Sequence, residues 1–141
     1  MRYLLTIEYD GTPYCGWQQQ EGLPSIQACL QKAIFLMSGE EVEVFGSGRT
    51  DAGVHATYQR AHFDLQKFFT PYQLREGINF HLKNEAISVI DVLQAPDTLH
   101  ARFSAIKRAY QYKILNRPSF SPIFHNRAWH YKYPLDISLM K

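Results

Sequence analysis

Tyr3-Leu4-Leu5-Thr6-Ile7-Glu8-Tyr9 places Tyr3, Leu5, Ile7 and Tyr9 at every second position, with Leu4, Thr6 and Glu8 between them. A period of two marks a strand with one face turned to a core. Asp10-Gly11-Thr12-Pro13 then supplies the turn that ends it. Behind Ser25 the period becomes helical, with apolar residues at Ile26, Cys29, Leu30, Ala33, Ile34 and Met37. Ser25 is a good helix cap, and Gly39 closes the pattern. Residues 42–45 are β-rich and run into a glycine loop. Residues 58–65 alternate again, Tyr58, Arg60, His62 and Asp64 against Gln59, Ala61, Phe63 and Leu65. Thr70 caps a second helix with Pro71 at its first position, and Leu74, Ile78 and Leu82 form its buried stripe. Strands are predicted at 86–93 and 107–115. The order β-α-β-β-α-β with extra strands specifies an α+β fold, a ferredoxin-like antiparallel sheet backed by two helices.

Composition agrees with a folded chain. Of 141 residues, 45% are hydrophobic and 20% charged, the usage of ordinary globular domains. No apolar run approaches the roughly 18 residues of a membrane span. Glu8 breaks the apolar stretch that a signal peptide would continue. Cys15 and Cys29 are the only thiols, too few for a disulfide scaffold, so a reduced, cytoplasmic protein is expected. Residues 1–116 are expected to form the domain, with 117–141 a linker and the start of a second half. Residues 134–141 read as a helix cut off before its second turn, so the chain is expected to be a fragment.

The net charge of +2 conceals a split. Residues 1–97 hold 7 Lys and Arg against 12 Asp and Glu, whereas residues 98–135 hold 7 basic residues and no acid. The basic stretch (Arg102, Lys107, Arg108, Lys113, Arg117, Arg127, Lys132) also carries eight aromatics, among them Phe103, Tyr110 and Tyr112. Basic residues interleaved with aromatics suit single-stranded or looped nucleic acid, whose bases stack while its phosphates pair. A β-rich segment with a solvated basic face is the plainer alternative.

The six histidines form no metal-binding motif, so no metal is expected. Gly46-Ser47-Gly48-Arg49-Thr50-Asp51-Ala52-Gly53 lacks the Gly-Lys-Ser/Thr ending of a P-loop, and Asp51 would repel a pyrophosphate. Three glycines in eight residues nevertheless let the backbone bend sharply and approach a ligand closely. Two readings of Arg49 and Asp51 stand side by side: a minor surface ion pair, or a carboxylate held at a cleft as nucleophile or base.

The string Gly48-Arg49-Thr50-Asp51-Ala52-Gly53-Val54-His55-Ala56 resembles the signature of the TruA family of tRNA pseudouridine synthases. Glu8-Tyr9-Asp10-Gly11 with Tyr14-Cys15-Gly16-Trp17-Gln18 resembles the family's first strand and turn. His100-Ala101-Arg102-Phe103-Ser104-Ala105 with Arg108-Ala109-Tyr110-Gln111-Tyr112 resembles a second conserved block. The resemblance implies isomerisation of uridine to pseudouridine at positions 38–40 of the tRNA anticodon stem-loop, without metal or organic cofactor. It implies Asp51 as the catalytic nucleophile, Arg49 as its partner at the extruded base, and Tyr110 as the tyrosine that stacks on the uracil. Arg102, Lys107 and Arg108 are the expected substrate-binding cations. tRNA is the expected partner, with no membrane contact, and the full-length protein is expected to be a homodimer. The family has two similar halves around a cleft, and this chain matches the first, so no activity is expected of the fragment alone. A non-catalytic RNA-binding module on the same sheet is the rival reading. It leaves the carboxylate of Asp51 unexplained, because that charge disfavours binding of a polyanion.

Overall fold

A computed structural model describes residues 1–140. The chain divides into two compact units, Met1–Ile106 and Lys107–Lys141. In the first, β1 (Arg2–Tyr9), α1 (Ile26–Ser38), β2 (Phe45–Gly46), β3 (Ala56–Asp64), α2 (Pro71–Leu82) and β4 (Ile87–Ala95) follow in order. The sheet runs β2-β3-β1-β4 with every neighbouring pair antiparallel. The ferredoxin-like α+β fold is therefore present.

The alternation in β1 does what its pattern requires. Tyr3, Leu5, Ile7 and Tyr9 are buried and join Phe63 and Ala61 of β3 and Val89 of β4 in one core with α1 and α2. Burying a large apolar side chain contributes about 1.5–3 kcal/mol, so truncating Leu30 or Leu74, both fully buried, costs about 2–5 kcal/mol. The Tyr3 hydroxyl is satisfied inside: it donates to the Phe69 carbonyl at 2.9 Å and accepts the Phe69 N–H at 3.1 Å. Ser25 caps α1 by accepting the Ala28 N–H at 3.2 Å, and Gly39 ends it in the left-handed conformation. Thr70 and Gln73 form a reciprocal capping box at α2, with Pro71 at the first turn.

Three expectations need correction. The strand expected at 42–45 shrinks to Phe45–Gly46, because α1 side chains take the Val44 backbone: Gln31 Oε1 accepts its N–H and Gln27 Nε2 donates to its carbonyl. The strand expected at 107–115 forms only at β5, Ile114–Asn116. Strand conformation persists only where a ladder partner exists, and here that partner is β6, Trp129–Tyr131, paired in parallel. The helix expected at 134–141 is a short 3-10 turn, Ile137–Met140, with Asp136 accepting from the Ser138 N–H; Lys141 lies outside the described residues.

Candidate active site

The loop between β2 and β3 is tied down on two sides. On the β3 side, the Ser47 N–H donates to the Arg60 carbonyl at 2.7 Å, and Gln59 Nε2 donates to the Gly48 carbonyl at 2.6 Å. On the other side lies the segment that follows β1. Trp17 donates its backbone N–H to the Thr50 carbonyl at 2.9 Å, and Gly53 donates to the Tyr14 carbonyl at 3.4 Å. The Tyr9 and Thr50 hydroxyls are 2.9 Å apart. Val54 closes a turn by donating to the Asp51 carbonyl at 3.2 Å.

Glycine makes this contact possible. A Cβ on Gly11 would stand 2.0 Å from the Val54 carbonyl oxygen, and one on Gly16 2.5 Å from that of Thr50. Gly16 also has φ +101°, a left-handed conformation that other residues avoid. The two backbones therefore touch without side chains between them. His55 Nδ1 completes the junction, 3.0 Å from the Gly11 nitrogen and 3.1 Å from Asp10 Oδ1. Unprotonated, that nitrogen accepts from Gly11; protonated, it donates to Asp10.

Asp51 sits at the exposed tip of this fastened loop. Among the described residues no ion pair joins it to Arg49, which is also exposed. The minor surface pair weighed from the sequence is thus not formed, and the carboxylate stays open to solvent and ligand. Trp17 is buried and shapes the loop through its backbone.

Arg102 belongs to the same unit. Its segment is held across the sheet: Ala101 donates its N–H to buried His62 Nδ1 at 3.1 Å. Arg2 forks onto the Asp64 carboxylate while donating to the Asp97 and Leu99 carbonyls. Asp64 in turn keeps its pKa below the ordinary carboxylate range through the Arg2 hydrogen bond. The Arg102 guanidinium lies over the Phe103 ring, 5.8 Å from its centre. Lys107, Arg108 and Tyr110 belong to the second unit, all three exposed, Tyr110 by 68%. Tyr9, Tyr14 and Thr50 lie within the motifs quoted from the sequence but carry no role there, and Gln59 lies outside them. The closely spaced glycines at 11, 16, 48 and 53 were the available signal that two backbones meet here.

A family model described as tRNA pseudouridine synthase matches residues 5–104. The chain belongs to this family. The match covers β1 from Leu5, β2, β3, β4, both helices and the Asp51 loop, and upholds the resemblance read from residues 48–56. Proteins named tRNA pseudouridine synthase A are similar along nearly all of the chain. That of Ehrlichia canis is 52% identical over 99% of this chain and 58% of its own length. That of Allorhizobium ampelinum is 50% identical over 99% of this chain and 54% of its own length. The chain thus spans about half the length of the family relatives it matches.

Proposed function

We propose that the protein carrying this chain isomerises uridine to pseudouridine in tRNA, at positions 38–40 of the anticodon stem-loop. The observation that carries this reading is the Asp51 carboxylate, exposed and, among the described residues, without an ion-pair partner, on a loop fastened at Thr50 and Gly53. A module that only bound RNA would have no use for it, since an exposed negative charge repels phosphate.

The reaction breaks the bond between ribose C1′ and uracil N1, turns the base, and forms a bond from C1′ to C5. N1 gains a proton and C5 loses one, so the product is an isomer. In this reading Asp51 is the nucleophile that adds to the sugar–base unit and is displaced when the new bond forms. The base must first leave the stack, at a cost of a few kcal/mol. Tyr110 offers an aromatic platform, and such stacking contributes about 1–3 kcal/mol per base. Arg49, planar and with several donors, fills the vacated space or holds a flanking phosphate. Arg102, Lys107 and Arg108 bind the backbone. The same reading makes the working enzyme a cytoplasmic homodimer, an expectation that rests on the family resemblance and that sedimentation tests.

Tritium release from 5-tritiated uridine in tRNA tests the reading, because binding alone cannot free that atom. Release is expected from the full-length protein. Asp51→Asn should abolish it while tRNA affinity stays within a few fold. Turnover by a verified Asp51→Asn protein would remove Asp51 from the role of nucleophile.

A further inference from the structure

Two hydrogen bonds and one close backbone approach converge on Thr50, the residue before Asp51. Its hydroxyl meets the Tyr9 hydroxyl at 2.9 Å, and its carbonyl accepts the Trp17 N–H at 2.9 Å. That same carbonyl oxygen occupies the space a side chain on Gly16 would fill. The Asp51 side chain itself makes no hydrogen bond to the protein among the described residues. Its position is therefore inherited from the backbone on either side of it.

Tyr9 is well placed to supply that position. It is the last residue of β1, only 3% exposed, and its ring packs 6.3 Å from the Trp17 ring. β1 is hydrogen-bonded on both sides, and Tyr9 at its end is paired with Ala56 of β3 and Ile87 of β4. The pairing with β3 shifts register between Ile7 and Tyr9. Such an irregularity re-aims the side chains beside it.

We infer that Tyr9 and Thr50 are positioning residues: their paired hydroxyls fix the Asp51 loop to the central strand and so set where the carboxylate stands. The inference rests on the proposed role of Asp51 but concerns a contact present whether or not that role holds. Neither hydroxyl touches substrate in this account; both act through Asp51.

The test compares Tyr9→Phe, which removes one oxygen and keeps the ring, with Thr50→Val and Thr50→Ser in the full-length protein. For Tyr9→Phe, kcat for tritium release should fall about 10- to 100-fold, the size associated with a displacement of roughly 1 Å. KM and tRNA affinity should stay within about twofold of the parent, because uniform binding is untouched. Thr50→Val should match that loss, and Thr50→Ser should restore most of it. The double variant Tyr9→Phe/Thr50→Val should be no worse than either single one, the mark of a shared contact. Independently of activity, amide exchange at Gly53 and Val54 should quicken in Tyr9→Phe while that of β1 and β4 stays unchanged. Unaltered exchange in this loop would overturn the inference. So would parallel losses in kcat and affinity with a lowered melting temperature, which would make Tyr9 merely structural. A parent protein without tritium release would refute the proposed function, and the exchange measurement would still decide the clamp.

Discussion

His62 Nδ1 accepts the Ala101 N–H at 3.1 Å while its ring stands edge-on to His100, with ring centres 4.6 Å apart. The imidazole is 1% exposed. Burial, then the positive charge of Arg2 and the neighbouring His100, push its pKa down from 6.5 to about 4, against a smaller opposing pull from Asp64. An unfolded chain takes up this proton near the ordinary value, whereas the folded chain refuses it. The contribution to stability is therefore complete above about pH 6.5 and is lost as pH falls towards 4. Urea midpoints measured from pH 7 to 4 should record a loss of up to about 3 kcal/mol from this group. His62→Gln should flatten the profile in that window; an equally steep profile would place the titration elsewhere.

Arg2 should matter more for one segment than for the whole fold. Its guanidinium bridges Asp64 and the carbonyls of Asp97 and Leu99, partly shielded from water. Charge-assisted bonds of this kind are worth about 1.5–3 kcal/mol, less where solvent screens them. Arg2→Gln should cost about 1–2 kcal/mol in thermal unfolding. Limited proteolysis should then cut at residues 97–104 well before the helices, and uncut chain at matched protease would contradict this.

Gly16 and Gly22 separate backbone conformation from close approach. Both have positive φ, but a Cβ on Gly22 meets nothing within 4 Å, whereas one on Gly16 meets the Thr50 carbonyl at 2.5 Å. Gly22→Ala should cost about 1 kcal/mol and leave tritium release intact. Gly16→Ala should cost at least about 2 kcal/mol and lower release steeply, because relief of the clash moves Thr50. Equal melting temperatures for the two variants would show that the two segments separate without penalty.

Residues 98–135, with 7 basic residues and no acid, should give tRNA binding a strong salt dependence through counterion release. Replacing Arg102, Lys107 or Arg108 with Ala should each reduce the slope of log K against log salt by about one. Affinity that is flat from low to moderate salt would reduce the segment to a solvated surface.

The parts of the fold legible in the sequence were those written locally. Ser25, Gly39, Thr70 and Pro71 mark helix ends by chemistry acting over three or four residues, and the period of β1 declares its buried face. Residues 107–113 misled because alternation states which face a strand would bury, not whether a partner strand is present. Val44 misled because Gln27 and Gln31, more than a dozen residues earlier, claim its backbone. In the site, Arg49 and Asp51 stood out by charge in a glycine loop. The Tyr9–Thr50 bond, across 41 residues, was invisible, because a hydroxyl buried at a strand end looks like any core tyrosine.

β1 lies between β3 and β4, both of which follow it in the chain. During translation it leaves the ribosome before either partner exists, carrying two open edges. The first closes when residues 56–64 emerge and the second only after residue 95. An unpaired edge of this kind invites wrong pairings while the chain grows. The loop that bears Asp51 is synthesised in that interval, ahead of the strand that completes its anchor. It can take its working shape only after synthesis has passed it, so the nascent protein acquires its candidate chemistry late, when the sheet is closed.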